Sequence, residues 1–199
     1  MRNRNRGSFG QFAGAVAGAS IVLGTGLLLA GLSGLRVNTT KSIPVGFYRA
    51  SAGGSVLPFT QQETAGRAAE NAKKGDYVIV CPPSSKVFDE ALERNYISAG
   101  LCPGGYGYMM KKILAAKNDL VEVTEKGVAV NGELLPLSVP LSEDLAGRKM
   151  PVFKVDKYKL KHNEVLLMSD VSSTSFDGRY YGLVDRAQIR NVIIPFYTW

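Results

Sequence analysis

The sequence predicts a mainly β domain that follows one N-terminal membrane-spanning helix and carries a short inserted helix. Three observations predict this architecture: a long uncharged N-terminal stretch, a succession of short β-prone segments, and one segment with helical spacing. At 199 residues the chain is long enough for one medium-sized domain and one appendage. Its apolar and charged fractions, 45% and 21%, are those of a folded protein.

The N-terminal region joins a basic end to an apolar stretch. Residues 1–11 contain three arginines, and residues 7–35 contain no charged side chain. A helix needs about 20 apolar residues to cross a bilayer core, and residues 12–32 supply that length. A cleaved secretory signal would have an apolar region of only about 7–15 residues. We therefore expect a retained transmembrane anchor rather than a cleaved signal.

The distribution of charge predicts the orientation of the anchor. Arginines that precede a membrane span favour a cytoplasmic N-terminus, so residues 37–199 would form a periplasmic domain on a bacterial inner membrane.

The net charge of +7 suggests nucleic-acid binding as a second possibility. However, four of the 24 basic residues and none of the 17 acidic ones lie in 1–36, which leaves only +3 for residues 37–199. With no basic-aromatic stripe, we expect no nucleic-acid partner.

Beyond the anchor, the chain consists mostly of β-prone segments. Val, Ile, Tyr and Phe dominate several short runs, and Gly, Asn, Asp and Pro separate them, which is the pattern of strands and turns. Residues 51–74 and 136–150 are predicted loops. The predicted strands are 47–50, 77–81, 109–115, 120–124, 127–130, 152–155, 164–169, 179–183 and 189–196.

One helix is predicted between two cysteines. The apolar residues of 87–97 have helical spacing, and this helix belongs to an inserted segment of about 84–106. Cys81 and Cys102 lie on either side of it. In an oxidising compartment they can form a disulfide, and the alternative is two buried free thiols. Two cysteines and one histidine give no metal-site pattern, so we expect no cofactor.

Ser42 is the first candidate for chemistry, because it lies a few residues beyond the predicted span, between Lys41 and Pro44. It could be a turn residue, a helix cap or a nucleophile close to the membrane surface. A catalytic serine needs a base. The one histidine, His162, lies in a polar stretch that is typical of an exposed turn. An imidazole base is therefore not expected.

A lysine can be the base when burial removes water from its ammonium group and favours the neutral amine. Lys111 and Lys112 interrupt the apolar strand predicted at 109–115. Neighbouring side chains on a strand point to opposite faces, so one of the two can face a dry interior while the other reaches water. The alternative is a pair of surface lysines on an edge strand.

A third polar segment follows in 172–182. Ser175, Asp177 and Arg179 alternate there, and on an extended chain they would share one face. The aspartate and the arginine could then form a bidentate pair, and the serine could bond a nearby amine. The alternative is a polar turn at Asp177-Gly178 before a strand.

These three segments, in this order behind an anchor, resemble the signal peptidase I family of Ser-Lys proteases. They read TKSIPVGFY (40–48), MMKKILAAKND (109–119) and MSDVSSTSFDGRYYG (168–182). The first is most similar to the conjugative-transfer (TraF-type) branch, which processes pilin precursors, because its N-x-T-x-S-x-P-x-G-x-Y pattern is met from Asn38 to Tyr48. The chain departs from the family where G-x-P-G-D reads AAKND and where G-D-N reads SDV.

The resemblance implies a role for each matched residue. Ser42 would be the nucleophile, and Lys111 would be its general base. The hydroxyl of Thr40 and the backbone N–H of Ser42 would form the oxyanion hole, and Ser175 would orient the amine of Lys111. The other supporting residues would be Lys112, Asp177 and Arg179.

The implied activity is that of a serine endopeptidase which cleaves exported precursors through an acyl-enzyme on Ser42. Its partners would be a pilin-like precursor with small residues at the cleavage site, the lipid bilayer, and conjugation or secretion machinery. The alternative is a non-catalytic membrane-anchored component of such an assembly. Whether water or a peptide amine resolves the acyl-enzyme stays open. The strand leading into Tyr48 is one candidate edge for an extended substrate.

Overall fold

The computed structural model describes residues 34–51 and 61–199. The basic segment 1–11 and the anchor predicted at 12–32 lie outside these residues. Within the described ranges, no helix combines the length and the apolar character that crossing a membrane requires.

The described chain is mainly β, as predicted. Its strands form one seven-stranded sheet, in the order β1-β2-β11-β3-β4-β9-β10, and one four-stranded sheet, in the order β7-β6-β5-β8, and neighbouring strands in both are antiparallel. In chain order, the strands are β1 Leu35–Asn38, β2 Gly46–Ala50, β3 Tyr77–Val80, β4 Met109–Ala115, β5 Leu120–Thr124, β6 Gly127–Val130, β7 Glu133–Leu134, β8 Val155–Lys159, β9 Glu164–Met168, β10 Val184–Asp185 and β11 Ile189–Thr198.

In the part of the chain that the structure describes, three α-helices accompany the strands: α1 (Gln61–Asn71), α2 (Lys86–Glu93) and α3 (Gly178–Tyr181). Helix α2 is the predicted inserted helix, and it buries Phe88 and Ala91 against the core. It ends before the predicted residue 97, because Asn95 takes a left-handed backbone conformation with φ of 60° that does not continue a helix.

Two segments differ from the predictions because side chains outside them determine their local structure. In the strand predicted at 179–183, residues 179–181 belong instead to helix α3, because the carboxylate of Asp177 accepts a bond from the backbone N–H of Arg179 and caps a helical turn. Residues 182–183 form neither helix nor strand. The loop predicted at 51–74 contains helix α1. The guanidinium of Arg186 donates to the carbonyl oxygens of Ala69 and Ala72 at the end of that helix.

Two further predictions concern strands. The strand predicted at 152–155 begins only at Val155, and it continues through the polar residues to Lys159 because these pair with β5. The strand leading into Tyr48 is not an edge, because β2 pairs with β1 on one side and β11 on the other. It therefore offers no free edge to a substrate.

Strand β4 positions the site. Met109, Lys111, Ile113 and Ala115 point to its buried face, so the lysine occupies a core position. Burying an apolar side chain such as Ile113 stabilises the fold by about 1.5–3 kcal/mol. Burying a charged amine in the same row disfavours its charged form.

The two cysteines are joined by a disulfide, which is one of the two alternatives that the sequence left open. Cys81 directly follows β3, and Cys102 precedes a short 3-10 turn (Pro103–Gly105). The bond closes a segment with a sequence separation of 21 around α2. Both cysteines lie in the core cluster beneath α2.

Candidate active site

The loop that carries Ser42 connects β1 to β2, and the side chain of Asn38 holds it closed. Asn38 is only 3% exposed. Its Nδ2 donates to the carbonyl oxygens of Thr40, Ile43 and Pro44 at 2.7, 2.9 and 3.1 Å. Its Oδ1 accepts bonds from the backbone N and the Oγ1 of Thr40 at 3.1 and 2.9 Å. One buried amide therefore binds the loop on both sides of the serine.

The residues after Ser42 fix the loop from the other direction. Ile43 is fully buried in a cluster with Tyr48, Ile79 and Ile193. The hydroxyl of Tyr48 donates to the carbonyl oxygen of Pro44 at 2.6 Å. Burial raises the pKa of Tyr48 to about 12, so this hydroxyl keeps its proton through neutral and mildly alkaline pH.

Lys111 lies next to the serine. Its side chain is buried, and its Nζ is 3.2 Å from Oγ of Ser42 and 2.7 Å from Oγ of Ser175. Burial lowers the pKa of Lys111 to about 8, while Asp177 raises it and Arg179 lowers it further. Because a neutral amine has a free lone pair, it can accept a proton from the hydroxyl of Ser42.

Lys112 points to the opposite face of β4. Its Nζ is 2.6 Å from Oδ2 of Asp170 and 5.3 Å from the centre of the Tyr77 ring. Burial alone would lower the pKa of Lys112, but the hydrogen bond and the charge of Asp170 outweigh it and raise the pKa. The two neighbouring lysines therefore have opposite shifts: one tends toward a neutral amine and the other keeps its charge.

Asp177 and Arg179 form a fully buried pair beside Lys111. Nε and Nη2 of the arginine donate to the two carboxylate oxygens, each at 2.8 Å. This pair forms across a capped helical turn and not along an extended strand, so the predicted alternation on one strand face was wrong. The guanidinium also donates to four backbone carbonyl oxygens, those of Leu137, Ser172, Ser173 and Ser175.

The consequence of this pair is that the loop before α3 is rigidly placed. Breaking a buried ion pair by removing one partner costs about 3–5 kcal/mol, because the other charge is left buried alone. Arg179 binds the carbonyl of Ser175 directly, so the same network that satisfies the guanidinium also holds the hydroxyl that contacts Lys111.

Thr40 lies at the cleft, but its hydroxyl hydrogen is engaged. Because Nδ2 of Asn38 faces three carbonyl oxygens, the orientation of that amide is fixed and its Oδ1 can only accept. The hydroxyl of Thr40 therefore donates to Oδ1 and not into the cleft. His162, in contrast, is exposed in the turn before β9 and is not among the residues that line this cleft.

Ser42, Thr40 and Lys111 open onto one cleft of about 370 Å³. No group of acidic, histidine or cysteine side chains that could hold a metal ion occurs in residues 34–51 and 61–199. The arrangement of a serine hydroxyl and a buried amine is suited to nucleophilic attack on a carbonyl group. The other residues that line the cleft are Asn95, Tyr96, Ile97, Ser98, Tyr108, Met109, Met110 and Phe176.

Comparison with known proteins assigns the chain to a protein family. The family described as signal peptidase, peptidase S26, matches residues 25–198. The chain belongs to this family. Within it, the chain is similar to a plasmid transfer protein TraF from Escherichia coli, with 50% identity over 188 residues that cover 92% of this chain and 96% of the relative.

More distant relatives of this signal peptidase carry similar names. A probable conjugal transfer protein TraF from Sinorhizobium fredii is 32% identical over 158 residues, covering 78% of this chain and 73% of the relative. Among solved structures, a signal peptidase I from Enterococcus faecalis is 16% identical, with a TM-score of 0.35, and covers 62% of this chain and 97% of that chain. The family assignment rests on the sequence matches.

Sequence reasoning did not find the role of Asn38. The residue fitted the branch pattern, but the pattern gave no reason for an asparagine. The signal that was available is local: an asparagine two residues before a threonine is suited to a turn closed by its own side chain. Its three further bonds depend on the complete loop and could not be read from the spacing.

We expect Asn38→Ala to lower the free energy of unfolding by about 1–3 kcal/mol, because it leaves buried carbonyl and N–H groups of the loop without partners. Urea denaturation of the full chain in detergent measures this change. The matched control is Asn163→Ala, which removes one exposed bond to Asp185 and should change the value by less than about 0.5 kcal/mol. Equal stability of the two variants would contradict the role given to Asn38.

Proposed function

We propose that this signal peptidase family member is a membrane-anchored serine endopeptidase that cleaves exported precursor proteins through an acyl-enzyme on Ser42. One observation carries the proposal: the buried Nζ of Lys111 lies 3.2 Å from Oγ of Ser42. At this distance the amine can take the hydroxyl proton directly. The sequence match to the peptidase family supports the same reaction class.

In the proposed mechanism, the neutral amine of Lys111 accepts the proton of Ser42 while Oγ attacks the scissile carbonyl carbon. The tetrahedral intermediate collapses when the amide C–N bond breaks and the ammonium returns its proton to the leaving amine. A water molecule then attacks the ester, Lys111 takes the proton of that water, and Oγ leaves with it. A peptide amine in place of water would instead join two chain segments, and this alternative stays open.

Ser175 gives the amine its direction. A neutral lysine amine has two N–H groups and one lone pair. Because Oγ of Ser175 lies at 2.7 Å and can accept one N–H, the lone pair is left for Ser42. The rigid loop held by Arg179 fixes this orientation before a substrate arrives.

The backbone N–H of Ser42 and the hydroxyl of Thr40 are the proposed oxyanion donors. The threonine hydroxyl donates to Asn38 in the absence of substrate, but a hydroxyl hydrogen rotates readily. When it turns toward the developing oxyanion, Oδ1 of Asn38 still accepts the backbone N–H of Thr40. When the hydroxyl of Thr40 rotates away, the amide oxygen of Asn38 therefore still has a hydrogen-bond donor.

Strand β4 offers an unpaired edge beside the nucleophile to which a substrate strand can bind. Residues 109–111 pair with β3 on one side, whereas pairing with β9 on the other side begins only at Lys112. Within the described chain, this second side of 109–111 has no strand partner. An extended precursor segment can add to it, with its carbonyl carbon next to Ser42.

An exposed aromatic surface supports a position at the periplasmic face of the inner membrane. Phe196, Tyr197 and Trp199 at the end of β11 are 61–71% exposed, and Trp199 packs against Phe47 of β2. Tryptophan and tyrosine are enriched where proteins meet the membrane interface, and a large exposed apolar patch marks an interaction surface. A domain resting there presents its cleft at the depth of a membrane-bound precursor.

The names of the relatives support a proposal for the class of precursor. Their names connect them with plasmid and conjugal transfer, so we infer that the substrate is a pilin-like precursor of the conjugation machinery. A non-catalytic role would leave the burial of Lys111 unexplained. Holding an amine whose pKa falls from 10.5 to about 8 costs on the order of 3 kcal/mol at neutral pH.

Ser42→Ala should abolish cleavage of a pilin-like precursor while the protein stays folded, because the variant has no nucleophile. Mass spectrometry of the precursor, incubated with the full chain in detergent, measures the cut. Product masses that sum to the precursor plus one water indicate hydrolysis, and a product without the added water indicates a peptide-amine acceptor. The control Ser173→Ala removes an exposed hydroxyl from the loop before α3 but keeps the backbone carbonyl that Arg179 binds, and this variant should cleave normally. Cleavage by Ser42→Ala at the wild-type rate would remove the serine from the mechanism.

The cleavage rate should rise with pH through about 8 and level off above it. Burial lowers the pKa of Lys111 to about 8 from its ordinary 10.5, so the neutral, active amine dominates above that value and is lost as pH falls below it. Steady-state rates between pH 6 and 10 measure the profile, and Lys111→Arg, which keeps its charge, should be inactive. A pH dependence that disappears in His162→Ala would instead indicate an imidazole base.

Thr40→Val should lower kcat about 10²–10³-fold, because one oxyanion donor is lost, while Thr40→Ser should retain most of the activity. Single-turnover cleavage rates compare the two variants: valine keeps the size of the threonine side chain and removes its hydroxyl, whereas serine keeps the hydroxyl and removes the methyl group. Similar rates for valine and serine would assign the oxyanion to backbone donors alone.

A further inference from the structure

A part of the molecule outside the proposed catalytic residues lines the same cleft. Residues 95–98 and Tyr108, here called the insert wall, border the cleft together with Ser42 and Lys111. Asn95, Ser98 and Tyr108 are exposed. These residues belong to or adjoin the segment that the Cys81–Cys102 disulfide closes.

The insert wall is fixed to strand β3 by the disulfide and to its own return segment by backbone bonds. The N–H of Gly107 donates to the carbonyl of Ser98 at 2.6 Å, and the N–H of Cys102 donates to the carbonyl of Tyr106 at 2.9 Å. The hydroxyl of Tyr106 donates to Oδ1 of Asp89 on α2 at 2.5 Å. The wall is therefore one folded unit with the disulfide at its base.

The insert wall is also joined to the loop that organises the lysine. The ring of Tyr96 packs 5.3 Å from the ring of Phe176, which follows Ser175. The hydroxyl of Tyr96 donates to Oδ2 of Asp144 at 2.6 Å. This bond, together with bonds from Arg148, keeps the pKa of Asp144 well below its usual range, so the carboxylate stays charged as an acceptor.

The chemistry of the lining matches an uncharged, extended peptide. Among the described residues that line the cleft, Lys111 supplies the one charged side chain, and none of them carries a carboxylate. Apolar contacts come from Ile97, Met109, Met110 and Phe176, while Asn95, Ser98 and Tyr108 offer hydrogen bonds to a peptide backbone. Such a lining favours small or apolar substrate side chains and disfavours charged ones.

We propose that the insert wall is the specificity-determining surface for the precursor, and that the Cys81–Cys102 bond holds it at binding distance. This inference rests on the proposed function and deepens it. Reduction of the disulfide frees the wall at its base, so peptide binding weakens. The contacts of Lys111 with Ser42 and Ser175 involve none of the wall residues, so the chemical step is kept.

The test measures binding without catalysis. A fluorescein-labelled 12-residue peptide that carries an Ala-x-Ala sequence is titrated against full-length Ser42→Ala protein in detergent, and anisotropy gives Kd. We expect Kd to rise at least fivefold when dithiothreitol reduces the disulfide, with thiol release checked by mass spectrometry. The Cys81→Ser/Cys102→Ser variant should show the weaker Kd with and without reductant. An unchanged Kd with both thiols free, or no binding to the oxidised protein, overturns the proposal.

A second variant keeps the disulfide and moves the wall. A Cβ added at Gly107 would meet Oγ of Ser98 at less than contact distance, whereas a Cβ added at Gly66 of α1 meets nothing within 4 Å. Gly107→Ala should therefore raise Kd in the same direction as reduction, and Gly66→Ala should leave it unchanged. Equal Kd values for these two variants also overturn the proposal.

Kinetics in the wild-type background separate this inference from the proposed function. Reduction should raise KM at least fivefold, change kcat less than twofold, and leave the pH midpoint near 8. Precursor cleavage with unchanged KM after reduction would leave the peptidase proposal standing and refute the insert wall. Redox-dependent peptide binding without any cleavage by the wild-type protein would support the insert wall and refute the peptidase proposal. A parallel loss of kcat and binding would show that the disulfide supports the whole site, and it would overturn the specific role.

Discussion

The burial of one amine governs the arrangement around the site. Lys111 occupies a core position of β4 between two serine hydroxyls, and its side chain is buried. Burial disfavours the ammonium form, and the proposed mechanism uses the resulting neutral amine as its base. The neighbouring elements place the buried amine next to the serine. Strand β4 sets the face, Asn38 holds the serine loop, and the loop before α3 supplies the second hydroxyl.

The buried pair of Asp177 and Arg179 acts in two opposite directions on the pKa of Lys111, which burial lowers. A carboxylate alone beside an amine would stabilise the ammonium form and raise its pKa. Here the arginine acts in the opposite direction to the aspartate, and burial is the largest of the three effects on the pKa of Lys111. The pair thus gives the loop its rigidity without restoring the charge on the base.

The sequence allowed the general architecture to be predicted, because alternation and turn residues are local signals. The exact limits of β4 and the opposite facing of its two lysines followed from such a pattern. The contact between Ser42 and Lys111 spans 69 residues, and only the family resemblance pointed to it. Helix α3 was missed because β-prone tyrosines suggested a strand, whereas a cap and a buried ion pair decided the conformation. Helix α1 was missed because Arg186, which lies 117 residues beyond Ala69, satisfies its last carbonyl groups.

The disulfide at the base of the insert wall also determines when the molecule can bind precursors. Thiols remain reduced in the cytosol and become oxidised after export. On the proposed exported topology, a newly made chain that is still in the cytosol would lack the disulfide that holds the insert wall. Full recognition of precursors would then begin only after translocation, in the compartment where those precursors are themselves delivered. The need for the disulfide would in this way prevent proteolysis in the cytosol before export.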